Sequence, residues 1–188
     1  KVLKNALRCT TPEDVAKICL KVAEEITNSK FGLIGKINPA GLYDTIVISD
    51  PGWAECVIPK TKAVKQISNM KIQGYLGRAL TTGKPVIVNN PKSDPGRLGE
   101  PEGHPEITSF MAIPLKRDDK TIGMIALANK KSGYTRDDQN AIEMLSVAFM
   151  EAIASKITEI SLKKSEKRFR ALAESAEDAI VTTDVNGT

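Results

Sequence analysis

Apolar residues recur at helical spacing near both ends of the chain. Residues 12–26 place apolar side chains three or four positions apart, after a capping Thr11 and a Pro12 that suits the first helical position. Residues 137–160 repeat this spacing after Thr135. The apolar positions of this second stretch are Ile142, Leu145, Phe149, Ile153, Ile157 and Ile160. The pattern predicts an opening helix and a long closing helix.

The segments between these helices alternate between strand-like and helical patterns. FGLIGKI and YDTIVIS flank a turn, NPAG, and SFMAIPLKRDDKTIGMIALANK is a second hairpin with a polar turn at residues 117–120. KTKAVKQISNM predicts a helix with Val64, Ile67 and Met70 on one face. GYLGRALTTG predicts a short helix that ends at Gly83, before the strand VIV.

Composition narrows the class of protein. A formal net charge of +4, with lysines scattered among acids, does not indicate a nucleic-acid partner. No apolar run approaches the roughly 20 residues of a membrane span, so we expect no membrane contact from this segment. Cys9, Cys19 and Cys56 form neither a disulfide framework nor a metal motif, which favours a cytoplasmic location. Cys19 falls on the apolar face of the opening helix and is interpreted as a core residue.

The order of elements and three motifs together resemble the GAF domain family. The motifs are GYLGRALTTGKPVIVNN, the SFMAIPLKRDDKTIGMIALANK hairpin and NKKSGYTRDDQNAIEML. The resemblance implies an α+β fold, with a central antiparallel sheet, the first and last helices on one face and ligand-pocket loops on the other. Part of the sequence also resembles the family's NK…F…DE signature, which we interpret as a structural clasp. The corresponding residues here are Asn129, Lys130, Tyr134, Asp138 and Gln139.

The last residues resemble a second family. RFRALAESAEDAIVTTDVNGT is similar to the opening of a PAS domain, with a first helix followed by a strand and an acidic, glycine-containing turn. We therefore predict a GAF sensory domain at 1–160, a helical linker at 161–167 and the beginning of a PAS domain at 168–188. Such an order is typical of sensor histidine kinases and related signalling proteins, so PAS and kinase domains are the expected downstream partners.

The sequence SDPG occurs twice, and each copy opens a loop that carries candidate binding residues. The first copy, at 49–52, runs into Trp53 and Cys56, and the second, at 93–96, lies in the 19-residue segment 89–107 that contains His104. We predict that the two loops face each other over a ligand site, although Asp and Pro-Gly also initiate turns without any shared function. The candidate ligand-binding residues are Trp53, Cys56, Tyr75, His104 and Phe110.

Each candidate also has a plainer interpretation. Trp53 could stack on a planar ligand or cover the edge of the core, and His104 could bind a ligand or bond to local backbone. Cys56 could be reactive or an ordinary thiol. No metal site is expected, apart from His104 if haem binds.

Three functions remain open on these grounds. The first is a noncatalytic sensory module that binds an unknown small molecule and relays the change through its last helix to a PAS domain, as a homodimer joined by that helix. The second is a haem-based redox or gas sensor that uses His104 and Cys56. The third is a ligand-free structural dimerisation module. The segment lacks catalytic motifs, so we do not expect an enzyme, although some GAF proteins reduce methionine sulfoxide with cysteines.

Overall fold

The computed structural model describes residues 9–50, 54, 67–99 and 102–181. In these residues, strands form one antiparallel sheet in the order β2-β1-β5-β4-β3. The strands are β1 Phe31–Ile37, β2 Tyr43–Ile48, β3 Val86–Val88, β4 Phe110–Arg117 and β5 Lys120–Ala128. The helices are α1 Pro12–Thr27, α2 Gly74–Thr82 and α3 Arg136–Val181. A sheet with helices packed on it confirms the predicted α+β class.

Local sequence signals explain where the first helix begins and what it buries. The Thr11 hydroxyl accepts a hydrogen bond from the Asp14 amide at 3.2 Å, and the Asp14 carboxylate accepts one from the Thr11 amide at 3.1 Å. This reciprocal pair is a capping box. Cys19 is fully buried on the inner face of α1, as predicted for a core residue.

Turn chemistry likewise fixes the second hairpin. Asp118 and Asp119 have φ angles of 49° and 61°, and they connect the paired residues Arg117 and Lys120. Two consecutive residues with positive φ are typical of the tight turns whose twist matches that of paired strands. The predicted hairpin and its turn are confirmed.

The helix predicted for KTKAVKQISNM is wrong at its C-terminal end. Met70 pairs instead with Tyr43 of β2, and each amide donates to the other residue's carbonyl at 2.9 Å. The Thr45 amide donates to the Ile67 carbonyl, and Asn69 has a φ of 54°, which helices do not contain. The free edge of β2 therefore determines the structure of residues 67–70. Residues 60–66 of the predicted helix lie outside the described part of the chain.

The two faces of the sheet pack against different helices. We call them the α1 face and the α2 face. On the α1 face, α1 lies against β1, β2 and β5, and Leu20 approaches Gly32. On the α2 face, α2 lies against β3, β4 and β5. The buried cluster of the α2 face consists of Tyr43, Ala79, Leu80, Val88, Phe110, Ala112, Met124 and Ala126.

The chain divides into two compact units, Lys1–Ala152 and Ile153–Thr188. In the first unit, α3 buries Ile142, Leu145 and Phe149, while Met144 and Val147 are exposed. In the second unit, several apolar side chains of α3 are exposed. They are Ile157, Ile160, Leu162, Phe169 and Leu172. Burial of the predicted stripe is therefore greatest in its first half. None of the helices in the described ranges has an apolar stretch long enough to cross a membrane.

A charged clasp joins the end of β5 to the beginning of α3. The Lys130 ammonium contacts both carboxylate oxygens of Asp138, at 2.7 and 2.6 Å. That carboxylate also accepts from the Thr135 amide at 2.8 Å, while the Thr135 hydroxyl accepts from the Asp138 amide at 3.3 Å. Thr135 is thus the predicted cap, and the lysine and aspartate of the NK…F…DE-like motif are bonded to each other.

The clasp predicts a pH-dependent contribution to stability. Burial raises the pKa of Asp138, but the Lys130 ammonium and the Thr135 donors lower it more, so the pKa lies below its usual value. We expect Asp138→Asn to reduce the free energy of unfolding by about 2 kcal/mol at pH 7. The loss should shrink as the pH falls below roughly 4, because wild-type Asp138 is then protonated too.

The control for this variant is Asp137→Asn, at an exposed acidic residue in the same helical turn. Urea unfolding of both variants between pH 3 and pH 7 measures the difference. Equal losses for the two variants at pH 7, or a loss at Asp138 that does not change with pH, would show that the clasp does not stabilise the domain.

Candidate functional site

Two of the predicted binding residues meet on the α2 face. The rings of Tyr75, at the start of α2, and Phe110, at the start of β4, pack edge to face with centroids 4.9 Å apart. Phe110 is buried and Tyr75 is partly buried. Edge-to-face pairs add specific geometry to apolar burial, so this pair gives the face a fixed aromatic corner.

Hydrophobic side chains surround this corner. The partly buried hydrophobic side chains that pack on the α2-face cluster are Leu33, Ile37, Met70, Ile72, Tyr75, Val86 and Ile107. These side chains come from β1, from β3, from α2 and from the loops before α2 and before β4. The face is therefore bordered by loops as well as by paired strands. A face of this composition suits a largely apolar small molecule.

Sequence reasoning missed two polar groups on the same face. The Tyr43 hydroxyl and the Thr45 hydroxyl are buried, and neither has a hydrogen-bond partner among the residues that the structure describes. Burial raises the pKa of Tyr43, so its hydroxyl keeps its proton. The alternation of YDTIVIS indicates that residues 43 and 45 share a face, but it does not indicate which face would lack partners.

The second SDPG copy ties its loop to α2. Arg78 of α2 forms a 2.5 Å ion pair with Asp94, and the other Asp94 oxygen accepts from the Gly96 amide at 2.8 Å. Burial raises the pKa of Asp94, but the bonds from Arg78 and Gly96 lower it more, so the pKa lies below its usual value. The loop also lies so close to Gly74, whose φ is +67°, that a side chain there would meet the Gly96 carbonyl.

Asparagine side chains hold both ends of the loop that joins β3 to β4, which we call the 89–109 loop. Asn89 accepts from the Tyr134 amide at 2.7 Å and donates to the Tyr134 carbonyl at 2.9 Å. Asn129 accepts from the Thr108 amide at 2.8 Å and donates to the Glu106 carbonyl at 2.7 Å. Both asparagines therefore connect the loop to the segment between β5 and α3.

The remaining sequence candidates do not join this group. His104 is exposed, and its Nδ1 lies 2.7 Å from the Pro105 carbonyl oxygen, as in the local-backbone interpretation. Trp53 and Cys56 lie outside the described residues, so the predicted meeting of the two SDPG loops stays a prediction. In the first copy, the Ser49 hydroxyl accepts from the Gly32 amide at 3.1 Å, which differs from the contacts of the second copy.

The buried cysteine of α1 is poorly suited to thiol chemistry. Burial raises the pKa of the Cys19 thiol to about 12, and a nucleophilic cysteine must be ionised near neutral pH. Cys9 is also buried. These two residues support a structural role for the cysteines that the structure describes.

Known structures with this fold include sensory and catalytic proteins. The GAF domain of a phosphoenolpyruvate-protein phosphotransferase from Coxiella burnetii is 14% identical, covers 85% of this chain and 92% of its own, and has a TM-score of 0.70. Free methionine-R-sulfoxide reductase from Neisseria meningitidis is 12% identical, with 84% and 87% covered and a TM-score of 0.66.

A third similar structure comes from a signalling protein. Residues 122 to 287 of a methyl-accepting chemotaxis protein are 14% identical, with 87% of this chain and 99% of that chain covered and a TM-score of 0.63. Identities at this level show a shared fold. Beyond the fold, the family model described as "GAF domain" matches residues 9–154, which is most of the sequence. This chain therefore belongs to the GAF domain family.

Proposed function

We propose that this chain is the sensory module of a cytoplasmic signalling protein and that it binds a small ligand on the α2 face. GAF domains are mainly regulatory modules, and the chemotaxis protein with this fold belongs to a signalling system. The apolar α2 face, with its aromatic corner and its unpaired hydroxyls, supports ligand binding there.

The observation that carries this proposal is the connection between the 89–109 loop and the start of α3. Asn89 holds both backbone groups of Tyr134, two residues before α3 begins, and the loop also contributes Ile107 to the α2 face. A ligand that displaces the loop would therefore act on the residues that cap the helix. In this proposal α3 relays the change to the following domain.

The identity of the following domain is part of the same proposal. The resemblance of residues 168–188 to the opening of a PAS domain supports a PAS domain after α3, and this order supports a sensor histidine kinase as the parent protein. Catalysis by the GAF domain itself gains no support from Cys19, whose thiol is protonated at neutral pH.

The haem hypothesis remains an alternative without structural support. His104 is exposed and bonded to its neighbour's carbonyl, and Cys56 lies outside the described residues. An absorbance scan of the purified protein distinguishes haem, through its Soret band, from a colourless ligand.

Native mass spectrometry of gently purified protein tests ligand binding. We expect one retained small molecule per chain, and we expect Phe110→Leu to reduce its retention about tenfold because the aromatic corner is lost. Met111→Leu is the matched control, since Met111 is the buried neighbour that points to the α1 face. Wild-type protein without any bound molecule, even after incubation with cell extract, would contradict ligand binding and favour the ligand-free dimerisation module.

We further propose that a second copy of the chain packs against α3. In the second unit, Leu162, Phe169 and Leu172 are 59%, 75% and 64% exposed, and their spacings of seven and three residues match a coiled-coil seam. A parallel pair of such helices would bury this stripe and deliver both chains to the next domain in the same orientation.

Sedimentation velocity tests the proposed dimer. We expect wild-type protein to be dimeric at about 10 μM, and Leu162→Lys with Phe169→Lys to raise the dissociation constant at least roughly 100-fold, because two charges would enter the seam. Lys167→Gln changes an exposed residue on another side of the helix and should leave the dimer intact. A wild-type monomer, or a dimer that the double variant does not weaken, would contradict this seam.

A further inference from the structure

The two unpaired hydroxyls of the α2 face lie next to each other on the sheet. Tyr43 is 0% exposed, and in the described part of the chain neither its hydroxyl nor the buried Thr45 hydroxyl has a hydrogen-bond partner. Both residues belong to β2, two positions apart, so their side chains lie on the same face. Buried polar groups nearly always have partners, so two unpaired neighbours require a physical reason.

Gly35 of β1 places the two groups together. It pairs with Thr45 across the strands, and the Tyr43 ring leans over it from the neighbouring pair with Ile37. A Cβ at residue 35 would lie 2.5 Å from both the ring carbon and the hydroxyl oxygen of Tyr43. Only a glycine allows this position of the ring, which brings the Tyr43 hydroxyl beside the cross-strand partner of Gly35.

The surroundings determine what such groups can bind. Tyr43 packs in a cluster of buried hydrophobic residues, and both hydroxyls can donate a hydrogen bond. The charge of Arg78, on α2, is neutralised by Asp94, although its buried Nε has no partner of its own among the residues that the structure describes. A buried anion would therefore meet an ion pair without net charge, whereas a neutral acceptor would satisfy the hydroxyls without a charge to desolvate.

We propose that the Tyr43 and Thr45 hydroxyls anchor the ligand of the α2 face through a neutral acceptor group, such as a carbonyl oxygen, on an otherwise apolar molecule. This inference rests on the proposed function and specifies its ligand class. In the free protein the two hydroxyls are unsatisfied, and the bound acceptor supplies the missing partner. The apolar body of the ligand packs on the aromatic corner of Tyr75 and Phe110.

Three probes of similar shape separate the possible ligand classes. Acetophenone carries a carbonyl acceptor, ethylbenzene carries none, and benzoate carries a charge. We expect wild-type protein to bind acetophenone about tenfold more tightly than ethylbenzene, because one buried hydrogen bond contributes a factor of this size. Benzoate should bind more weakly than acetophenone. Dissociation constants from NMR titration give the comparison.

Tyr43→Phe should abolish the preference for acetophenone to within about twofold. The same variant should raise the melting temperature of the free protein by roughly 2–4 °C, because it removes a buried hydroxyl that has no partner. Tyr134→Phe is the matched control. Its hydroxyl is paired with Ser29 at 2.7 Å, so this variant should lower the melting temperature and keep the preference.

The outcomes separate this inference from the proposed function. A preference that survives Tyr43→Phe, tighter binding of benzoate, or a lower melting temperature of Tyr43→Phe would overturn the inference; the last result would mean that the hydroxyl has a partner such as an ordered water. If none of the probes binds but native mass spectrometry shows a retained molecule, the ligand class is wrong and the sensory function stands. If neither method shows binding, both proposals fail.

Discussion

The side chain of Asn89 binds both backbone groups of Tyr134, and much of the proposed function depends on this contact. An asparagine amide matches a peptide group, because it offers one acceptor and donors at a similar separation. Gly133 lies so close to Asn89 that a side chain at residue 133 would collide with it. The contact therefore requires a specific backbone, and it joins the end of β3 to the residue before the cap of α3.

The contact matters because the two segments that it joins have different neighbours. The 89–109 loop borders the apolar α2 face and is tied to α2 through the ion pair of Arg78 and Asp94. The segment after Tyr134 is tied to the residues that follow β5 through Lys130 and Asp138. In the proposed relay, a change on the α2 face reaches the cap of α3 through these contacts, which are short and partly buried. Energetic coupling of this kind needs an element with two arrangements, and the loop is the candidate element.

Sequence predicted the elements whose signals are local. The capping box at Thr11, the two-aspartate turn and the helix that ends at Gly83 each depend on neighbouring residues, and each is confirmed. Residues 67–70 were not predicted because their apolar spacing fits a helix, while the hydrogen bonds that decide their structure come from the edge of β2. Of the candidate site, the sequence predicted Tyr75 and Phe110 as binding residues but not their contact with each other. The unpaired hydroxyls and the Asn89 contact depend on residues distant in sequence, which periodicity does not relate.

Hydrogen exchange of an Asn89→Ala variant tests the central claim most directly, because it removes the link and needs no ligand. If the loop is coupled to α3, amides 139–142 in the first turns of α3 should exchange about tenfold faster than in wild-type protein, since the helix start loses two supporting hydrogen bonds. Amides of α1 should not change. Faster exchange confined to the 89–109 loop, with α3 unchanged, would contradict the account, because the loop would then move independently of the helix.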